Sequence, residues 1–217
     1  MSDFTNTFNE ISNFLQKGKA KDIVIAVEKA LSDGAAPADI LEKGLISGMN
    51  VIGEKFQKGE VFVPEVLIAA RAMNHASTTL KPALVKAGVQ PVGKVVICTV
   101  KGDLHDIGKN LVRLMMEGKG LEVIDLGVDV SAEKFLAAHK EHKADAVALS
   151  ALLTTTMQEM KNIVEAFTAA GCRDEVVILV GGAPISESFR QTVGADIYTP
   201  DAASAAAECK AAILARK

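Results

Sequence analysis

Lys94-Val95-Val96-Ile97-Cys98-Thr99-Val100, together with the loop Lys101-Gly102-Asp103-Leu104-His105-Asp106-Ile107-Gly108 that follows, decides the fold. A continuous apolar run of this length reads as a parallel strand covered on both faces. A helical pattern starts near Asp106. A histidine flanked by two acids therefore sits on the loop at the carboxyl end of a strand. That is where open α/β sheets bind their ligands.

The same alternation continues downstream. After Val95–Val100, strand candidates are Leu121–Leu126, Ala146–Ser150, Val176–Val180 and Asp196–Tyr198. Helical patterns lie near 106–118, 131–142, 156–170, 186–193 and 201–215. Five strands alternating with helices predict a doubly wound, five-stranded parallel sheet of the Rossmann or flavodoxin type over residues 91–217.

Upstream the period is helical. Phe4, Phe8, Ile11 and Leu15 share one face, ended by Gly18. Ile23, Val24, Val27 and Leu31 make a second stripe, stopped by Asp33-Gly34. Pro37 opens a third helix carrying Ile40, Leu41, Leu45, Met49, Ile52 and Phe56. Gly44 and Gly48, one turn apart on it, predict close approach of another chain segment. Pro64 opens a fourth helix through Val66, Leu67, Ala70, Met73, Ser77 and Leu80. Four amphipathic helices with short connections predict a small four-helix bundle over residues 1–90. Ala87-Gly88-Val89-Gln90-Pro91-Val92-Gly93 reads as the linker.

Composition narrows the class. The formal charge of −3 over 217 residues gives no basis for nucleic-acid binding. No apolar run is long enough to span a bilayer. The start, Met1-Ser2-Asp3-Phe4, lacks the features of an export signal. Three cysteines without metal or redox spacing fit a reducing cytoplasm.

Three stretches fall on one sheet rim. The first is the His105 loop. Asp103 is placed to accept the proton of one imidazole nitrogen, leaving the other for a metal. A hydrolytic metal needs about three protein ligands, and no second His or Cys stands at matching spacing. His75, His139 and His142 fall on helices and are expected to face solvent. A lone ligand points to a metal whose other positions are filled by a macrocycle. The second stretch is Ser150-Ala151-Leu152-Leu153-Thr154-Thr155-Thr156, whose hydroxyls either cap the next helix or bond a polar ligand. The third is Gly181-Gly182-Ala183-Pro184, either a plain turn or the lining of a slot for a flat group. Met115, Met116 and Met160 read as packing.

Asp103-x-His105-x-x-Gly108, with Ser150-x-Leu152 and Gly181-Gly182 at later strand ends, resembles the cobalamin-binding domains that hold their cofactor base-off and His-on. Gly53-x-x-Phe56-x-x-Gly59-x-x-Phe62-x-Pro64 resembles the helical cap of the methionine-synthase type. A chain of these two modules resembles the corrinoid proteins of multicomponent methyltransferase systems. The resemblance implies a methyl carrier, non-catalytic by itself. Cob(I)alamin would accept a methyl group from a substrate-specific methyltransferase, and methylcob(III)alamin would pass it to a second methyltransferase acting on tetrahydrofolate or a thiol. A reductive activase is the third implied partner.

The resemblance also implies roles within the loop Gly102, Asp103, Leu104, His105, Asp106, Ile107 and Gly108. His105 would be the axial cobalt ligand. Asp103 would bond its far nitrogen, and Thr156 would complete that relay. Ser150 and Thr154 would contact the nucleotide tail, Leu152 would belong to the cofactor-binding set, Gly181 and Gly182 would line the tail's slot, and Ala202 would make a backbone contact near the base. Phe62 would shield the upper cobalt face. Rival readings are a cobalamin-binding sensor, the small subunit of a carbon-skeleton mutase, and a receiver domain. The mutase lacks a helical cap. The receiver would need a phosphoacceptor Asp where this chain has Ser150.

Overall fold

The computed structural model describes residues 4–217. The chain divides into two compact units, the first ending at Gln90 and the second starting at Pro91.

The first unit is helical: α1 (Thr5–Gln16), α2 (Ala20–Ser32), α3 (Pro37–Asp39), a π-helical stretch (Ile40–Ile46), α4 (Ser47–Gln57) and α5 (Val63–Lys86). Gly18 ends the first helix in the left-handed conformation, at φ 64°. The third predicted helix is one rod from Pro37 to Gln57 whose middle is wound as a π-helix. That winding rotates the apolar stripe, so Ile46 is buried while Leu41 is only half-buried. The close approach expected at Gly44 and Gly48 is present. A Cβ on Gly44 would lie 3.0 Å from the Ile11 side chain, and one on Gly48 would lie 3.1 Å from the Ser12 carbonyl oxygen. Both neighbours belong to α1, which also packs on α2, while α2 packs along α5.

The second unit alternates strand and helix: β1 (Lys94–Thr99), α6 (Ile107–Gly118), β2 (Glu122–Asp125), α7 (Ala132–His142), β3 (Ala146–Ser150), α8 (Gln158–Ala169), a 3₁₀ turn (Arg173–Glu175), β4 (Val177–Gly181), α9 (Glu187–Val193), β5 (Ile197–Tyr198) and α10 (Ala202–Ala215). All pairings are parallel, in the order β2-β1-β3-β4-β5. The chain leaves β1 for one neighbour and returns to its other side with β3. The topological switch point thus lies at the carboxyl ends of β1 and β3. β1, β3 and β4 are buried over almost their whole lengths, which is why they read as unbroken apolar runs. One face is filled by Val96, Cys98, Val147, Leu149, Ile178 and Val180 under Phe135, Met160, Ile163 and Phe167.

Register sets up the rim. Thr99 is the lateral partner of Ser150, and Ser150 of Gly181. The three loops singled out from sequence therefore leave the sheet side by side. Among the described residues, no helix is long and apolar enough to cross a membrane.

One expectation is overturned. His139 does not face solvent; it is buried at 6% exposure, with its ring 5.1 Å from that of Phe167. Burial pushes its imidazole pKa down, and Nδ1 has no hydrogen-bond partner among the described residues. The helical period put His139 one turn past Phe135, which is fully buried, so the apolar face of α7 runs through it.

Candidate functional site

The His105 loop begins with a turn in which the Asp103 N–H donates to the Val100 carbonyl at 3.1 Å. Gly102, third in that turn, sits at φ 81°, a conformation that favours glycine. The turn drives the Asp103 side chain inward, where it is fully buried.

Five donors surround that carboxylate. Oδ1 accepts the main-chain N–H of His105 at 3.0 Å and pairs with its Nδ1 at 2.7 Å. Oδ2 accepts the N–H groups of Leu152 and Leu153 at 2.7 and 3.1 Å, and the Thr156 hydroxyl at 3.1 Å. Burial opposes the charge. The hydrogen bonds from the His105 and Leu152 N–H groups, the His105 ring and the Leu153 N–H outweigh it, and they hold the carboxyl well below the usual carboxylate range.

This settles the imidazole tautomer. An ionised carboxylate can only accept, so Nδ1 carries the proton and, in the neutral ring, Nε2 carries the lone pair. Nε2 makes no hydrogen bond among the described residues, and 52% of the His105 side chain is exposed. The Thr99 hydroxyl donates to the His105 carbonyl at 2.8 Å. The residue is thus held at its N–H, its C=O and one ring nitrogen, with the other nitrogen offered outward. This is the arrangement of a metal-binding imidazole fixed by an outer carboxylate.

The remaining predicted residues fall as follows. Thr156 is buried, and its single hydroxyl proton is shared between Asp103 Oδ2 and the Leu153 carbonyl at 2.9 Å. Leu152 reaches Asp103 through its backbone and, as a residue, is 42% exposed. Leu104 and Ile107, on either side of His105, are exposed apolar residues. Asp106 Oδ2 accepts from Asn110 Nδ2 at 3.0 Å. No hydroxyl of the β3 loop caps α8, whose N-cap is Met157. Ser150 is half-buried and Thr154 exposed, and neither hydroxyl has a described partner.

The two glycines of the third stretch differ in kind. A Cβ on Gly182, at φ 130°, would lie 1.9 Å from the Ala151 carbonyl oxygen, so its place is fixed by backbone contact. A Cβ on Gly181, or on Gly108, would meet nothing within 4 Å. Space for a ligand therefore lies over Gly181 and Gly108. Ala202 is the buried first residue of α10, whose N-cap Asp201 accepts the N–H groups of Ala203 and Ser204, both at 2.9 Å. Phe62 belongs to the helical unit. It is 66% exposed at the N-cap of α5, and its N–H donates to Glu65 Oε2 at 3.0 Å.

No group of three or more His, Cys, Asp or Glu among the described residues could hold an ion by itself. All three cysteines are buried, and burial pushes the thiols of Cys98 and Cys209 up to about 12, which removes them as nucleophiles. One outward imidazole nitrogen, an apolar surround and glycine-floored space fit a metal that brings its own equatorial ligands.

Models of the B12 binding domain match residues 93–210 and, separately, residues 7–81. The chain belongs to the B12-binding corrinoid protein family. It is 37% identical to dimethylamine corrinoid protein 3 of Methanosarcina acetivorans over 99% of this chain and 100% of that protein. It is 44% identical to the trimethylamine corrinoid protein of Methanosarcina barkeri over 85% and 86%. Among solved structures, a cobalamin-binding protein from Desulfitobacterium hafniense superposes with a TM-score of 0.80 at 33% identity, covering 98% of this chain and 99% of that one. The methanol:cobalamin methyltransferase complex MtaBC of M. barkeri gives 0.86 at 30% identity, covering 96% and 80%. The helical unit followed by a parallel-sheet unit is the architecture of this corrinoid family.

Residues to which the sequence assigns no role at the site also shape the loop. Thr99, Leu153 and Asp129 each bond it directly. Lys109 on α6 is buried with its ammonium between Asn110 Oδ1 and Asp125 Oδ2. The backbone donor of Leu153 carries no side-chain signal. Asp129 stands in Gly127-Val128-Asp129, which reads only as a turn after a strand.

Proposed function

We propose that this chain is a corrinoid methyl carrier of a methylamine-type methyltransferase system, holding cobalamin with Nε2 of His105 as the axial cobalt ligand. The observation that carries the ligand assignment is the Asp103–His105 pair at 2.7 Å, which leaves Nε2 as the outward lone pair. The names of the relatives, dimethylamine and trimethylamine corrinoid proteins, favour methylamines as the source of the methyl group.

Cobalamin, when bound, would supply a cobalt centre able to carry a methyl group between two enzymes. The chain's own residues do the rest. Asp103 keeps the proton on Nδ1 and fixes the plane of the ring. The His105 and Leu152 N–H groups, the His105 ring and the Leu153 N–H keep Asp103 ionised, and the Thr156 hydroxyl adds a further donor to Oδ2. Thr99 holds the His105 main chain. Leu104, Ile107, Leu152 and Leu153 give an apolar surround to a flat macrocycle. Gly181 leaves room for the nucleotide tail, and Ser150 and Thr154 offer it hydroxyls. A substrate-specific methyltransferase, a second methyltransferase and a reductive activase are the partners in this reading, all in the cytoplasm.

The test is the absorption spectrum of protein loaded with hydroxocobalamin. Wild type should show the spectrum of cobalt bearing an imidazole nitrogen with the cofactor's own base displaced. His105→Ala should retain cofactor and lose the imidazole signature. Identical spectra for the two proteins would refute the ligand assignment.

A further inference from the structure

Asp129 lies in the connection after β2, and its main chain sits at φ 55°, the left-handed region that side-chain-bearing residues seldom occupy. Asp is among the few residues that tolerate it. Strain of this kind persists where surrounding contacts enforce it, and it is a pointer to function. Here the contacts run to the His105 loop. Asp129 Oδ1 accepts the Gly102 N–H at 2.7 Å, and the Asp129 N–H donates to the Asp103 carbonyl at 3.1 Å. The residue thus grips the Gly102–Asp103 segment from both sides of its most pliable point, the φ 81° glycine.

The connection itself is firmly seated. The Thr99 N–H donates to the Gly127 carbonyl at 3.0 Å, the Val130 N–H donates to the Thr99 carbonyl at 3.2 Å, and Val100 bridges Val130 in parallel. The Asp125 carboxylate caps the Gly127 N–H at 2.9 Å. A rigid connection carrying one strained acid therefore meets the loop opposite the β3 side, where Leu152, Leu153 and Thr156 hold the Asp103 carboxylate. Those three contacts fix the side chain of Asp103. Asp129 fixes its main chain. Both are needed to define where Oδ1, and with it the His105 ring, points. Asp129 is exposed and contributes nothing to the core.

We propose that Asp129 is a positioning residue for His105, latching the Gly102–Asp103 segment so that Nε2 is held in one direction toward cobalt. This rests on the reading of His105 as the axial ligand.

Asp129→Gly removes the carboxylate while keeping the left-handed backbone and its N–H. Asp129→Asn keeps an oxygen acceptor. The readout is electron paramagnetic resonance of cobalamin-loaded protein with cobalt in the +2 state, where an axial nitrogen splits each line. Wild type and Asp129→Asn should share the same small His-free fraction, and Asp129→Gly should raise it at least tenfold. An unchanged fraction in Asp129→Gly overturns the proposal. Amide hydrogen exchange in the cofactor-free protein is the second readout. Gly102 and His105 should exchange at least tenfold faster in Asp129→Gly and recover in Asp129→Asn; equal rates in wild type and Asp129→Gly overturn the latch. Absence of any histidine splitting in wild type would instead remove the ligand reading, while the exchange rates would still judge the latch. Should Asp129→Gly fail to fold, the wild-type Gly102 amide decides: at least tenfold protection over an open chain supports the latch, and none overturns it.

Discussion

Asp103→Asn is nearly isosteric and changes little except charge and donor–acceptor balance. In wild type both carboxylate oxygens accept, two donors on Oδ1 and three on Oδ2. An asparagine must aim its NH₂ at one of these groups. Facing His105 is the cheaper choice, because the ring can move its proton to Nε2 and let Nδ1 accept. The main-chain N–H of His105 then faces a donor, and the remaining bonds lose their charge. Hydrogen bonds to charged groups contribute about 1.5–3 kcal/mol each. The loss of one such bond and the weakening of the others should cost about 3 kcal/mol at pH 7, or about 10 °C in Tm for a unit of this size. The pH dependence is the sharper part. The folded-state pKa of Asp103 lies below its unfolded value, so its contribution is present above about pH 4 and is lost as pH falls further. Urea unfolding of the cofactor-free proteins at pH 7 and pH 3 should show the gap between wild type and Asp103→Asn shrinking at the lower pH. A gap under about 0.5 kcal/mol at pH 7, or one unchanged at pH 3, would contradict a charged bond network at Asp103, which cannot be that weak or that insensitive.

Thr156→Val should cost only about 1 kcal/mol, because the hydroxyl proton is shared between Asp103 and the Leu153 carbonyl; urea unfolding measures it, and a loss above about 3 kcal/mol would show a larger role. The adjacent glycines should separate cleanly. Gly182→Ala, with its Cβ 1.9 Å from a carbonyl oxygen, should destabilise by about 3 kcal/mol or more in thermal melts. Gly181→Leu should melt within a few degrees of wild type yet bind cobalamin at least tenfold more weakly by calorimetric titration. His139 should make the sheet unit acid-sensitive. Its folded-state pKa is depressed by burial, so stability falls as pH drops below about 6.5, and His139→Leu should flatten the stability curve between pH 7 and 5.

Much of this was legible in the sequence, for physical reasons. β1, β3 and β4 are covered on both faces, so their apolar runs mark them within a residue or so. Glycines at positive φ, such as Gly18 and Gly102, mark the ends of elements. Asp103 and His105 were legible because a two-residue spacing lets a side chain reach its neighbour's ring within one loop. The π-helical stretch at Ile40–Ile46 was not, since a change in helical winding leaves the same residue types in place. His139 was misplaced because its polar label outweighed its position beside Phe135 on the same face. The grips on the loop by Leu153 and Asp129 depend on strand order, with β2 and β3 on opposite sides of β1. One sequence carries no such pairing.

The proposed assignment puts Nε2 of His105 on cobalt. Electron paramagnetic resonance of cobalamin-loaded protein in the +2 state, prepared with and without ¹⁵N-labelled histidine, tests it most directly. Each cobalt line should split into three with natural histidine and into two with the labelled residue, and His105→Ala should abolish the histidine splitting. A threefold splitting that survives ¹⁵N labelling would place the cofactor's own base on cobalt and contradict the assignment.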